Sequence, residues 1–153
     1  MDSKMTPQLQ KNFLHLPKKG IYGDCLRTCL ACILDKPLDD IPNFMEGIKR
    51  GGLNSTMQVL DKNREWLSKE NKTLFFFIIP VQTQDAALSY IGHFNSTNRW
   101  ILNGGTKDKG INHSVCCYGN KIEHDPAPSP VGGINGPLWP DRKVFSAAII
   151  GVL

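Results

Sequence analysis

Three observations predict an α+β fold for this chain. Apolar residues recur at helical spacing through the first half, between clear cap and stop signals. Short segments rich in aromatic and β-branched residues, separated by turn residues, fill the second half. Helices first and a meandering antiparallel sheet afterwards is the pattern in which helices pack on an antiparallel sheet. At 153 residues the chain reads as one domain, 1–153, long enough for a core without disulfides or metal.

The elements follow in order. Residues 1–22 are polar, with Pro7, Pro17 and Gly20, and read as an irregular lead-in. Residues 24–35 read as a helix, with Asp24 as N-cap and Leu26, Cys29, Leu30, Ile33 and Leu34 on one stripe; Pro37 ends it. A turn and short helix follow over 38–52, closed by Gly51 and Gly52. A third helix runs to about Glu70, capped by Asn54 or Ser55, with Met57, Leu60 and Leu67 inward. "TLFFFII" (73–79) reads as a buried strand, and 83–94 fits helix or strand equally. Residues 99–103, 112–118, 121–125 and 143–153 read as further strands.

Composition narrows the function classes. The formal charge of +4 comes from scattered lysines and arginines, so no basic block marks a nucleic-acid face. The longest apolar run, 74–81, is too short to cross a bilayer, and residues 1–19 lack the apolar core of a secretory signal. Five cysteines, an odd number, without an export signal favour reduced thiols and a cytoplasmic location over a disulfide framework.

The chemistry-bearing residues lie far apart in sequence. In "GIYGDCLRTCLACIL" (20–34), Cys25 stands where a glycine-rich turn becomes a helix. A thiol in a first helical turn feels the positive end of the macrodipole and unpaired N–H groups, which favour the nucleophilic thiolate. Cys29 and Cys32 lie deeper and read as buried apolar residues. "CLAC" (29–32) has zinc-like spacing, but zinc pairs sit on knuckles and not within a regular helix; Cys116, Cys117 or His124 would have to complete the set. Metal binding is the lesser reading, and no cofactor is expected.

Downstream, "NHSVCCYGNKIEHDPAPS" (112–129) sets His113 at the start of one strand and Asp125 at the end of the next. A nucleophilic thiol needs a base and a group that holds that base. A two-residue loop at Gly119-Asn120 makes Ser114 oppose Asp125, so His113 and Asp125 face opposite ways. Contact between them demands a three-residue loop or a β-bulge. His124 reads as a solvent-facing neighbour, and His15 and His93 have no partner in the pattern.

"GDC" leading into an apolar helix, followed by "NHSVCCYGNKIEHDP", resembles the papain-like cysteine peptidases, in the form of the peptidase domains of bacteriocin exporters. "GDCLRTCLACILDKPLDDIPNF" and "GINHSVCCYGNKIEHDPAPSPVGG" are similar also to small single-domain papain-like proteins of bacteria and phages. The resemblance covers 5–50 and 99–135. It implies a papain-like fold, with Cys25 as nucleophile, His113 as general base and acid, and Asp125 as orienter. It further implies an upstream glutamine at the oxyanion. Exporter peptidases carry that glutamine six residues before the cysteine, where this chain has Lys19; in "MTPQLQKNF" Gln8 or Gln10 can serve, and the smaller relatives imply Gln10.

The expected function is hydrolysis of an amide, peptide or isopeptide bond in a peptide, protein or small amide, with no nucleic-acid or membrane partner. The same three residues could pass the acyl group to an amine, and a papain-like scaffold could sequester a factor without chemistry. "NGGTKDKG" (103–110) is expected as a loop at the cleft rim. A second irregular loop at 129–141 carries Trp139, which packs over the site or caps the sheet.

Overall fold

The structure is a computed structural model that describes residues 4–11, 19–20, 23–48, 53–106, 112–127 and 145–153, with Leu53 described in its backbone alone. The expected positions of His15, Trp139, Gly51, Gly52 and the loop 129–141 lie outside these residues. The fold is α+β. Helices α1 (Cys25–Ile33), α2 (Leu53–Ser68) and α3 (Gln84–Phe94) combine with strands β1 (Lys72–Ile79), β2 (Arg99–Gly105), β3 (Asn112–Tyr118), β4 (Lys121–His124) and β5 (Phe145–Val152). The strands form one sheet in the order β1-β5-β2-β3-β4, and every described pairing is antiparallel.

Strand alternation divides the core in two. Leu74, Ile101, Cys116 and Ala148 meet Cys29, Leu30 and Cys32 of α1 and Leu60 and Leu67 of α2 on one face. Ile79, Trp100, Leu102, Val115, Cys117, Phe145 and Ala147 meet Ala87, Leu88 and Ile91 of α3 on the other. Each fully buried aliphatic side chain contributes about 1.5–3 kcal/mol, so the sheet is stabilised from both sides. Trp100, wholly buried, also donates its indole N–H to Gly119 O at 2.8 Å, tying β2 to the β3–β4 turn.

Several expectations are corrected. The segment 73–79 is an edge strand, not a buried one: only Leu74 and Ile79 are buried, while Phe75 and Ile78 are exposed. Met57 is exposed, and the inward stripe of α2 runs through Val59, Leu60, Asn63 and Leu67. Asn54 and Ser55 lie inside α2 and not at its cap. Of 38–52, Leu38–Asp40 forms a single 3-10 turn, with turns continuing to Gly47. The ambiguous 83–94 is helical because Thr83 caps it, accepting the Ala86 N–H at 3.2 Å.

Candidate active site

The site forms where the amino end of α1 meets the start of β3. Cys25 is the first residue of α1 and is half-buried. Thr28 N–H donates to Asp24 O at 2.9 Å, and the N–H groups of Cys25, Leu26 and Arg27 in the first turn have no intrahelical acceptor. Asp24 holds the N-cap position, yet its side chain does not cap the helix, contrary to expectation. The buried carboxylate instead accepts Lys11 N–H at 3.2 Å and pairs with Arg27 at 3.6 Å.

His113 is buried on β3 opposite Gly104. Its Nε2 lies 2.7 Å from Asp125 Oδ1, and Asp125 also accepts the Ala127 N–H at 2.9 Å. The contact that parity demanded is made by a bulge. Tyr118 pairs with Lys121 and Cys117 with Ile122, but Cys116 pairs with His124, leaving Glu123 as an extra residue. The turn itself is the two-residue Gly119-Asn120, with Gly119 at φ +56°. Arg99 clasps Glu123 through two bonds of 2.8 and 2.9 Å and stacks over Tyr118, which holds the bulge against β2.

Cys25 lies beside His113 and Ser114, and its ionisation reflects those neighbours. Burial opposes the thiolate, but the His113 hydrogen bond and positive charge outweigh it, aided by the Ser114 hydroxyl and N–H, so the Cys25 pKa falls below the usual thiol value. For His113, burial disfavours the cation, but hydrogen bonds to Asp125 and Cys25 and their charges outweigh it, raising it to about 9. Both shifts favour a thiolate–imidazolium pair.

The other thiols differ. Burial pushes Cys29 up to about 11 and also raises Cys117. Cys32 is raised by its hydrogen bond with Cys116, then by burial, and Cys116 chiefly by its hydrogen bond with Cys29. All four are buried. Among the described residues no group of three or more His, Cys, Asp or Glu is arranged to hold a metal ion.

The two candidate glutamines separate cleanly. Gln10 is buried; its N–H donates to Pro126 O at 3.1 Å, next to Asp125, while its neighbour Lys11 donates to Asp24, next to Cys25. Gln8 is engaged at the far end of α1, where its side chain binds Lys36 O at 2.8 Å and Leu38 N–H at 3.0 Å. Lys19 is exposed. His124 is not solvent-facing: Nε2 lies 2.6 Å from Gln8 O, on the α1 side of the sheet. His93 is exposed on α3. Asn103–Gly105, expected in the rim loop, extend β2, and residues 107–110 lie outside the described ones.

Sequence reasoning passed over Ser114 and Asn103. Ser114 is buried, and its hydroxyl donates to Asn103 Oδ1 at 2.6 Å across the β2–β3 ladder. The signal was present: alternation puts the residue after His113 on the Cys116 face, where α1 packs. Among the described residues no helix is long and apolar enough to cross a membrane. The chain matches no family model, no curated protein and no solved structure.

Proposed function

We propose that this protein is a papain-like cysteine hydrolase that cleaves an amide, peptide or isopeptide bond. The observation that carries the proposal is the chain Cys25–His113–Asp125, with its 2.7 Å imidazole–carboxylate contact at the amino end of α1. Its nearest-neighbour chemistry matches what thiol catalysis requires: an activated sulfur, a proton carrier and a group that orients the carrier.

The mechanism follows from those atoms. Asp125 holds Nε2, leaving Nδ1 of His113 for the sulfur. The Cys25 thiolate attacks the substrate carbonyl carbon, and the carbonyl π electrons move onto oxygen. The Cys25 N–H, free of an intrahelical acceptor, and the Gln10 side-chain amide receive that oxyanion. As the oxyanion collapses, the C–N bond breaks and the imidazolium passes its proton to the departing amine. His113, now neutral, takes a proton from water, whose oxygen attacks the thioester. The acid product leaves with its C–S bond broken, and the thiolate–imidazolium pair is restored.

A test uses a peptide library derived from a bacterial proteome, incubated with the wild type or Cys25→Ala and read for new amino termini by mass spectrometry. Cleavages present with wild type and absent with Cys25→Ala are expected, together with a hydroxylamine-sensitive adduct on Cys25. Identical digests and no adduct on Cys25 would overturn the reading.

A further inference from the structure

Strand β1 stands at the edge of the sheet, and among the described residues no strand lies against its outer side. Two hydrogen bonds fix which of its backbone groups face outward. Leu153 N–H donates to Asn71 O at 2.8 Å, continuing the β1–β5 register, so alternation turns the groups of Thr73, Phe75, Phe77 and Ile79 toward β5. Arg64 of α2 donates its Nε–H to Leu74 O at 3.0 Å, which confirms that Leu74, Phe76 and Ile78 face away. The N–H and C=O groups of Phe76 and Ile78 meet no partner among the described residues.

The side chains along this edge are apolar. From Thr73 to Val81 the chain carries no charge. Phe75 is 55% exposed and Ile78 66%. On the α3 face, Phe77 leads to Phe94 at 6.4 Å between ring centroids and Phe94 to Tyr90 at 5.9 Å, and both α3 rings are exposed. An edge without charges lacks the usual device that keeps a strand from pairing with another chain.

We propose that β1 pairs antiparallel with β1 of a second copy about a two-fold axis at Phe77, joining two sheets into one of ten strands. In this register Phe76 opposes Ile78 of the second copy, and the two exchange both main-chain bonds. The symmetric pair does the same, so all four open groups of each copy are satisfied. Leu74 opposes Pro80, and the fit continues there. Pro80 has no N–H to give, and the Leu74 carbonyl that would receive one is already served by Arg64. Side chains agree with the backbone: Phe76 meets Ile78 on the α2 face, while Phe75 meets Ile79 and Phe77 meets its own copy on the α3 face. Two uncharged strands do not repel, and a charged partner strand would find no counter-charge along 73–81.

Phe75, Ile78 and Phe94 together offer about 300 Å² of exposed apolar surface per copy. Weak specific interfaces take up to about 600 Å² from each partner, and the backbone edge, about 27 Å long, supplies much of the remainder. The dimer is therefore a micromolar one. Strands β5 and β2 separate β1 from β3, so the pairing leaves Cys25 open and does not depend on the hydrolase reading.

Sedimentation velocity of the full chain over about 1–200 µM tests the proposal. The wild type is expected to move from 17.1 kDa toward twice that mass. Ile78→Pro removes an outward N–H without touching a β5 bond, which an edge strand tolerates, and Ile78→Lys sets a charge at the seam. Each is expected to weaken the dimer about tenfold or more. Val152→Lys, on an 82% exposed residue of β5, is expected to leave it unchanged. Phe77→Cys in a Cys25→Ser background is expected to form a disulfide between copies with oxidised glutathione, because residues opposed in a non-hydrogen-bonded pair have Cα atoms about 4.5 Å apart. Phe75→Cys, opposite Ile79, is expected not to. A monomer at every concentration overturns the proposal, as does a dimer indifferent to both Ile78 variants. Growth beyond a dimer also overturns it and points to pairing with the β4 edge. The Phe77→Cys cross-link keeps the register testable if Ile78→Pro does not fold, and its absence from a wild-type-like dimer overturns the two-fold at Phe77.

Discussion

His113 and Asp125 meet at 2.7 Å without being cross-strand partners. Continuing the register of Cys116 with His124 sets Asp125 beside Val115, two residues along β3 from His113. Residues two apart on a strand share a face, so the contact is a diagonal one, within reach of an imidazole. Glu123 makes this possible, because without the extra residue Asp125 would point through the sheet to the α1 side.

The bulge therefore separates two kinds of change at one position. Glu123→Ala loses the Arg99 ion pair but keeps the residue count, and activity is expected within a few-fold of wild type. Deleting Glu123 slips the register by one and turns Asp125 away from His113. Cys25 alkylation near neutral pH should then fall to the rate of an ordinary thiol. Equal alkylation in the two variants would contradict the bulge argument.

Asp125→Asn keeps the shape and removes the charge. The carboxylate supports both the orientation and the raised ionisation of His113. Hydrolysis is expected to fall by about 10²–10⁴-fold, the usual range for a proton carrier placed or charged wrongly. The alkaline limb of the rate profile should move down from about 9. A drop in rate with that limb unmoved would show that the carboxylate acts on something other than His113.

Gln10 and Gln8 should fail in different ways. Gln10→Ala is expected to lower kcat by about 10²–10³-fold while leaving the pH profile of Cys25 alkylation in place, as loss of an oxyanion donor requires. Gln8→Ala removes the side-chain bonds to Lys36 O and Leu38 N–H and should cost about 1–3 kcal/mol of stability in urea melts, with kcat retained. A kcat loss confined to Gln8→Ala would reverse the assignment.

Stability should carry the signature of His113. A histidine raised from its ordinary value near 6.5 to about 9 stabilises the fold fully below pH 6.5, and this contribution is lost as pH rises through 9. The four raised thiols also weaken the fold at alkaline pH, so the comparison needs His113→Gln as reference. The wild-type advantage in urea midpoint is expected to be largest at pH 6 and to narrow toward pH 10. A difference constant across that range would contradict a charged His113 in the fold.

Much of this was legible in the chain, and the reasons for the rest are physical. Helix α1 announced itself because Cys29, Leu30 and their neighbours repeat at helical spacing up to Pro37. Met57 misled because the buried stripe of α2 is centred among Val59, Leu60, Asn63 and Leu67; Met57 lies roughly 100° around the helix from that centre, and a polar residue takes an inward place. Asn63 can do so because its amide donates to Val59 O at 2.7 Å. The site's parity requirement was readable as a choice between loop and bulge, but nothing local to Glu123 marks it as the extra residue, and its ion-pair partner Arg99 is 24 residues away. The two glutamines were likewise inseparable in sequence, since their partners lie on distant segments. Asp24 had the composition of a cap, and a bond to Lys11 N–H claimed its carboxylate.

The most direct measurement is the order and pH dependence with which limiting iodoacetamide labels the five cysteines of the folded protein. The account predicts that Cys25 reacts first, that its rate rises at lower pH than that of an ordinary thiol, and that His113→Ala returns it to a rise centred near pH 9. Labelling that begins at another cysteine, or a Cys25 profile indifferent to His113, would contradict it.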